Sequence, residues 1–220
     1  MRRTHRLETA VSLSSETSAR LVRILSSVGI ASLSLAVIAA IQLGRIGAVD
    51  FHGTPYPDTP VAPVFSLTGH TGERVDLEDF RARPVLLFFG FTECPDVCPL
   101  TLAKLDRLLD EMEIPPEEVA VLLVSVDPET DTPSRLAEYV QAIGPSITGL
   151  TGSREEIEAV LGQYGAYAEP SLDHEGRRLI AHTSLVFGID RTGHLQVLIH
   201  TDEPDEVVSD DIRTLIRIGA

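Results

Sequence analysis

Cysteine is nearly absent from this chain: its 220 residues hold two, Cys94 and Cys98. No third cysteine exists to close a structural zinc site, which usually takes four protein ligands. Neither cysteine opens a C-x-x-C-H run, so covalent haem attachment is excluded. Positive charge is scarce as well, at 18 basic against 33 acidic residues and a net charge of −15. A nucleic-acid partner, which needs a basic footprint on the protein, is excluded by that balance. There is no internal repeat and no low-complexity tract. Seventeen of the basic residues are arginine and one is lysine, a ratio that points to a bacterial coding bias.

One long apolar run is present. Residues 24–44 carry no charge and are bracketed by Arg23 and Arg45. As a helix the run would extend about 31 Å at ~1.5 Å per residue, matching a hydrocarbon core of about 30 Å, so it predicts one transmembrane helix. Arg2, Arg3, Arg6, Arg20 and Arg23 precede it against Glu8 and Glu16, which by the positive-inside rule leaves residues 1–23 in the cytoplasm. The remainder is exported: residues 45–62, rich in Pro, Gly, Asp and Thr, as a linker, and 63–220 as the folded domain. Beyond Ile46, 31 acidic residues face 12 basic ones. A single-pass protein of the inner (cytoplasmic) membrane with its C-terminal domain in the periplasm fits this order; a mitochondrial inner membrane would fit the same topology.

In the exported part, strand and helix signals alternate. Phe65-Ser66-Leu67 with a turn at Gly72 reads as a small hairpin, and residues 84–91 (PVLLFFGF) form an apolar run suited to a central strand buried on both faces. Leu100, Leu102, Leu105, Leu108 and Leu109 repeat at helical spacing, and Val119 to Val126 is a second buried strand. Thr132-Pro133 reads as an N-cap with proline at the first helical position, opening a helix to about Ile143. Ser153 caps another, Arg154 to about Tyr164, with Glu155 and Glu156 in its first turn. Strands Thr183–Ile189 and Leu195–Ile199 flank a turn at 190–193, and a last helix covers about Pro204 to Ile218. The expected fold class is α/β, a thioredoxin-like mixed sheet flanked by helices, with one N-terminal transmembrane helix.

Cys94 and Cys98 stand in Thr92-Glu93-Cys94-Pro95-Asp96-Val97-Cys98-Pro99, directly after the first central strand. Positions i and i+4 share a helix face, so the thiols can converge on one soft metal ion, on each other, or on both by turns. Pro99 is tolerated in a first turn but not deep in a helix, so the helix is expected to begin near it, with both thiols at its N-terminus, where thiolate is favoured. A closed disulfide is the simplest alternative in an exported domain.

Three separated segments then carry a family resemblance: residues 89–99 (FGFTECPDVCP), 124–133 (VSVDPETDTP) and 180–183 (IAHT). Together they resemble the SCO/SenC family, over about residues 60 to 218. That resemblance implies a membrane-anchored, thioredoxin-fold metallochaperone that binds a copper ion through Cys94, Cys98 and His182. It implies delivery to the binuclear copper site of cytochrome c oxidase, with the oxidase's copper-accepting subunit and a copper donor protein as partners. Two thiolates and an imidazole suit Cu(I), with Zn(II) as competitor. The family usually has an acidic residue directly before the ligand histidine, where this chain has Ala181. The same cysteines would also serve a thiol-disulfide oxidoreductase that reduces acceptor cysteines, or a redox or copper sensing module.

His182 is placed where thiol oxidoreductases carry a cis-proline, opening the strand that faces the cysteine loop. His174, in an acidic loop, is a second candidate ligand, read as solvated. Asp127, Glu129, Asp131 and Glu138 imitate calcium-loop spacing, but Thr132 stands where glycine is needed and Pro133 follows, so these residues are assigned to turns and capping.

Overall fold

A computed structural model of the chain describes residues 50–172, 174–176 and 178–219. The expected cytoplasmic segment and transmembrane helix lie outside the described residues. Among the described residues no helix is long and apolar enough to cross a membrane.

In chain order the strands are β1 (Thr54–Pro55), β2 (Ser66–Gly69), β3 (Arg74–Asp76), β4 (Val85–Gly90), β5 (Ala120–Ser125), β6 (Ile147–Thr151), β7 (Ala168–Leu172), β8 (Arg178–His182), β9 (Val186–Ile189) and β10 (Leu195–Ile199). The helices are α1 (Val97–Glu111), α2 (Pro133–Ile143), α3 (Arg154–Tyr164) and α4 (Asp205–Arg217), with a short 3-10 helix at Leu77–Phe80. Every residue of β4 and β5 is buried, as their unbroken apolar sequences require, and the two run parallel with Val85 opposite Ala120 and Gly90 opposite Ser125. An eight-stranded sheet grows around that pair in the order β1-β10-β9-β4-β5-β6-β2-β3. This is the mixed, helix-covered sheet of a thioredoxin-like domain.

Local signals set the helix starts. Thr132 accepts the Arg135 N–H at 3.3 Å with Pro133 at the first helical position. Ser153 and Glu156 form a capping box, and α3 ends at Gly165 in the left-handed region (φ 63°). α1 starts two residues before the expected Pro99. The first-turn N–H groups of a helix have no intrahelical partner, so proline costs nothing at its third position.

The structure differs from the sequence reading at four places. Residues 147–151 form β6, a strand that their short, threonine-rich pattern conceals. Gly149 permits it, since a Cβ there would lie 3.2 Å from both Leu136 Cβ and Val140 Cγ1 of α2. Residues 168–182, a stretch given no element beyond the acidic loop around His174, form the antiparallel hairpin β7-β8, a two-stranded sheet of its own. With little of it buried, the hairpin shows no apolar alternation to read. The strand expected from Thr183 begins at Val186. Finally, the expected linker is part of the domain from Asp50 onward: β1 pairs with β10, and Ala62 is buried and donates its N–H to Gly193 O.

A buried carboxylate fastens that N-terminal segment. Asp211, on α4 and 1% exposed, accepts the N–H groups of His52 (2.7 Å) and Gly53 (2.9 Å). Replacing Asp211 by Ala removes both charge-assisted bonds and should cost about 1–3 kcal/mol. The denaturation midpoint should fall, and the Tyr56 amide, bonded to Gln196 O, should exchange faster while β4 amides do not. Unchanged stability and exchange would show that the carboxylate is not the fastening.

Candidate metal centre

The parallel pair β4-β5 delivers two loops to one end of the sheet, and the first carries the cysteines. Cys94 lies on the loop and is partly exposed; Cys98, in the first turn of α1, is fully buried. Burial of Cys98 depends on Gly90 at the end of β4, where an added Cβ would meet Cys98 Sγ at 3.0 Å, Phe88 Cε1 at 2.9 Å and Leu123 Cδ1 at 3.2 Å.

His182 reaches the same point from the last residue of β8, in the outlying hairpin rather than at the opening of a central strand. Its Nε2 lies 3.4 Å from Cys98 Sγ. Its Nδ1 lies 3.0 Å from Thr183 O, and since a carbonyl can only accept, Nδ1 carries the proton and Nε2 presents a lone pair to the thiols. Phe88 and Phe91 hold the ring edge-on, at 6.0 Å and 5.8 Å between centroids. The ligand atoms of Cys94, Cys98 and His182 all lie within 4.8 Å of one another. Two metal–ligand bonds of about 2.3 Å span about 4.6 Å, so a shift of a few tenths of an ångström brings all three onto one ion. The sequence placed these residues as a set, and the structure brings them together; His174 is exposed in the hairpin turn and outside the group.

The two thiols are electrostatically unequal. Hydrogen bonding from the Cys98 side chain, against the opposing effect of burial, lowers the Cys94 pKa to about 4, with the Cys98 backbone N–H (3.4 Å) adding to the effect. The same contact with Cys94, together with burial, pushes the Cys98 thiol far up. At neutral pH Cys94 is therefore a thiolate at the N-terminus of α1, and Cys98 keeps its proton until a metal displaces it.

Acidic residues that the sequence reading gave to turns and capping hold the loops in place. The Asp131 carboxylate is fully buried and accepts from Thr92 N (3.0 Å), Thr92 Oγ1 (2.5 Å) and Ser125 Oγ (2.6 Å). Arg135 adds bonds to Thr92 Oγ1 (2.8 Å) and Glu93 Oε1 (3.0 Å). Asp127, also buried, takes a two-pronged contact from Arg178 at the start of β8, at 2.7 and 3.1 Å. The Arg178 guanidinium holds the Asp127 carboxyl below its ordinary range. That contribution to stability is present above the unfolded carboxylate value, about 3.9, and is lost as pH falls through the lower folded value. The one available signal was position, since both acids follow a strand whose end must face the cysteine loop.

An open groove of about 300 Å³ borders the ligands, lined mainly by apolar groups including Phe91, Pro95, Val97, Leu179 and Ile180. Val97 and Leu100 stay exposed beside Cys98. The chemistry available here is soft-metal binding by two thiolates and an imidazole, or thiol-disulfide exchange with Cys94 attacking and Cys98 resolving.

The SCO1/SenC family model matches residues 54–217. The chain is similar to the mitochondrial SCO1 homolog of Homo sapiens, with 40% identity over 134 residues, covering 59% of this chain and 44% of that protein. Its fold is similar to copper-bound ScoI of Bradyrhizobium japonicum (33% identical, TM-score 0.63, 70% of this chain and 99% of that one). It is also similar to apo Sco1 of Thermus thermophilus (37% identical, TM-score 0.65, 76% and 97%). The chain spans about half the length of the curated relatives it matches, from 44% to 57% for the first three.

Two outcomes follow from the geometry. Alkylation of the metal-free, reduced protein should modify Cys94 ahead of Cys98, with a rate that rises through pH about 4 rather than about 8.5; equal rates at the two sulfurs would refute the inequality. Gly90→Ala should displace Cys98 and weaken metal binding tenfold or more, while a wild-type affinity would show that the close contact is not needed.

Proposed function

This chain belongs to the SCO1/SenC family, and on that premise we propose that it is a membrane-anchored copper metallochaperone holding one copper ion through Cys94, Cys98 and His182. The observation that carries the reading is the convergence of these donors, one already a thiolate and one an imidazole nitrogen with its lone pair turned inward. Three ligands and a solvent-facing edge suit a cargo ion that must leave again. Copper enters from a donor protein and leaves for the copper-accepting subunit of cytochrome c oxidase. The apolar groove and the exposed Val97 and Leu100 offer that partner a surface beside the ion. Residues 24–44 hold the domain to the inner membrane on its periplasmic side, and the acidic surface keeps it soluble there.

A second reading is favoured by the unequal thiols. Cys94 thiolate attacks one sulfur of an acceptor disulfide and forms a mixed disulfide, releasing the other acceptor sulfur as a thiolate. Cys98 then passes its proton to the released acceptor thiolate and, as a thiolate, displaces the second acceptor sulfur from Cys94; that sulfur takes a proton from water, so the acceptor is reduced to a dithiol and this chain is oxidised to a Cys94–Cys98 disulfide. A sensing module would use the same residues.

Anaerobic Cu(I) titration of the reduced exported domain against a competing chelator separates these readings. The chaperone reading predicts one tight equivalent, lost in Cys94→Ser and Cys98→Ser and weakened tenfold or more in His182→Ala. No tight binding, or indifference to His182→Ala, would overturn it. A reductase would keep its rate in His182→Ala and lose it in either serine variant. A sensor would leave oxidase assembly normal in a deletion strain.

A further inference from the structure

Of the three converging ligands, Cys94 and Cys98 follow directly from β4 of the main sheet, whereas the backbone of His182 belongs to the separate β7-β8 hairpin. His182 ends β8, which among the described residues pairs with β7 alone and forms no ladder with the eight-stranded sheet. The hairpin's packing is shallow: Ala168, Leu179 and Ile180 are partly buried against the core, and no described residue of β7 or β8 is fully buried. A hairpin of two strands is marginal alone in water, so its position depends on what ties it to the body.

A charged tie lies at the opposite end of β8 from the ligand. Arg178 reaches the buried Asp127 carboxylate with two parallel N–H···O bonds, 2.7 Å from Nη1 to Oδ2 and 3.1 Å from Nη2 to Oδ1. Asp127 is rigid, since its own N–H donates to Ser125 Oγ at 3.1 Å and its carbonyl accepts from Thr130 and Asp131. Asp131 in turn grips the cysteine loop through Thr92. One short segment, residues 125–131, therefore fastens the cysteine loop with one carboxylate and the histidine strand with another. A bidentate guanidinium–carboxylate pair fixes direction as well as distance. Leu179, Ile180 and Ala181, in extended strand, carry that orientation to His182.

We propose that Arg178 and Asp127 are positioning residues that set the register of His182 against the two sulfurs, so that the pair tunes the third ligand and not the dithiol. The inference rests on the copper reading above and deepens it. Cu(I) is satisfied by two thiolates, whereas Cu(II) is more dependent on the imidazole. Loosening the hairpin therefore weakens Cu(II) binding more than Cu(I) binding.

The test uses Arg178→Gln, Asp127→Asn and the conservative Arg178→Lys in the reduced protein. In the metal-free state, amide exchange at Leu179 to His182 should rise tenfold or more in the first two variants while exchange in α1 is unchanged. In the copper-loaded state, Cu(II) affinity should fall tenfold or more and Cu(I) affinity less than threefold, with the imidazole nitrogen coupling lost from the Cu(II) electron paramagnetic resonance spectrum. Arg178→Lys should restore part of both, and Arg178→Gln should add nothing in a His182→Ala background. Wild-type exchange in the metal-free variants would overturn the proposal, as would equal losses for both copper states or an additive effect on His182→Ala. Should the wild-type protein bind no copper, the functional reading fails while the exchange measurement still decides whether the pair holds the hairpin.

Discussion

A carboxylate removed from water must recover the hydrogen bonds it loses, and Asp131 recovers three of them from Thr92 and Ser125. Leaving such a charge buried without partners would cost several kcal/mol, so the requirement works as a clamp. It pins the loop after β4 to the loop after β5 at the mouth of the central sheet. The position of Cys94 depends on that clamp, and the entry of α1, with Cys98 in its first turn, follows from it. Gly90 completes the arrangement from below, because only a residue without a side chain leaves room for the Cys98 sulfur.

The two sulfurs then differ for reasons of place. Cys94 is on the loop, partly in water, with the Cys98 N–H aimed at it; Cys98 is packed among apolar side chains. Burial penalises a second negative charge beside the first, so the metal-free pair carries one thiolate and one thiol. A soft cation bound there would remove that penalty by joining both sulfurs and accepting the His182 lone pair. Metal binding and proton release are coupled for the same reason. The unequal pair is also what thiol exchange needs, which is why one site supports two readings and why the imidazole discriminates between them.

Much of this was legible in the sequence. The unbroken apolar runs at 84–91 and 119–126 declared two buried strands, and Thr132-Pro133 and Ser153 declared helix starts that the structure reproduces. The spacing of Cys94 and Cys98 directly after the first run placed the thiols at a strand-to-helix junction. Other parts left little trace. The β7-β8 hairpin has little buried surface and so carries no period-two signal. β6 is short and interrupted by Gly149, whose missing side chain serves packing against α2. Asp127 and Asp131 looked like ordinary turn residues because the partners that give them meaning, Arg178 and Thr92, are 51 and 39 positions away.

The central claim is that one copper ion is held by two sulfurs and one imidazole. X-ray absorption at the copper edge of the Cu(I)-loaded, reduced protein tests it directly. The account predicts a first shell of two sulfurs and one nitrogen, with the outer-shell scattering of an imidazole ring that disappears in His182→Ala. A shell of sulfur alone, or one unchanged by that substitution, would contradict it.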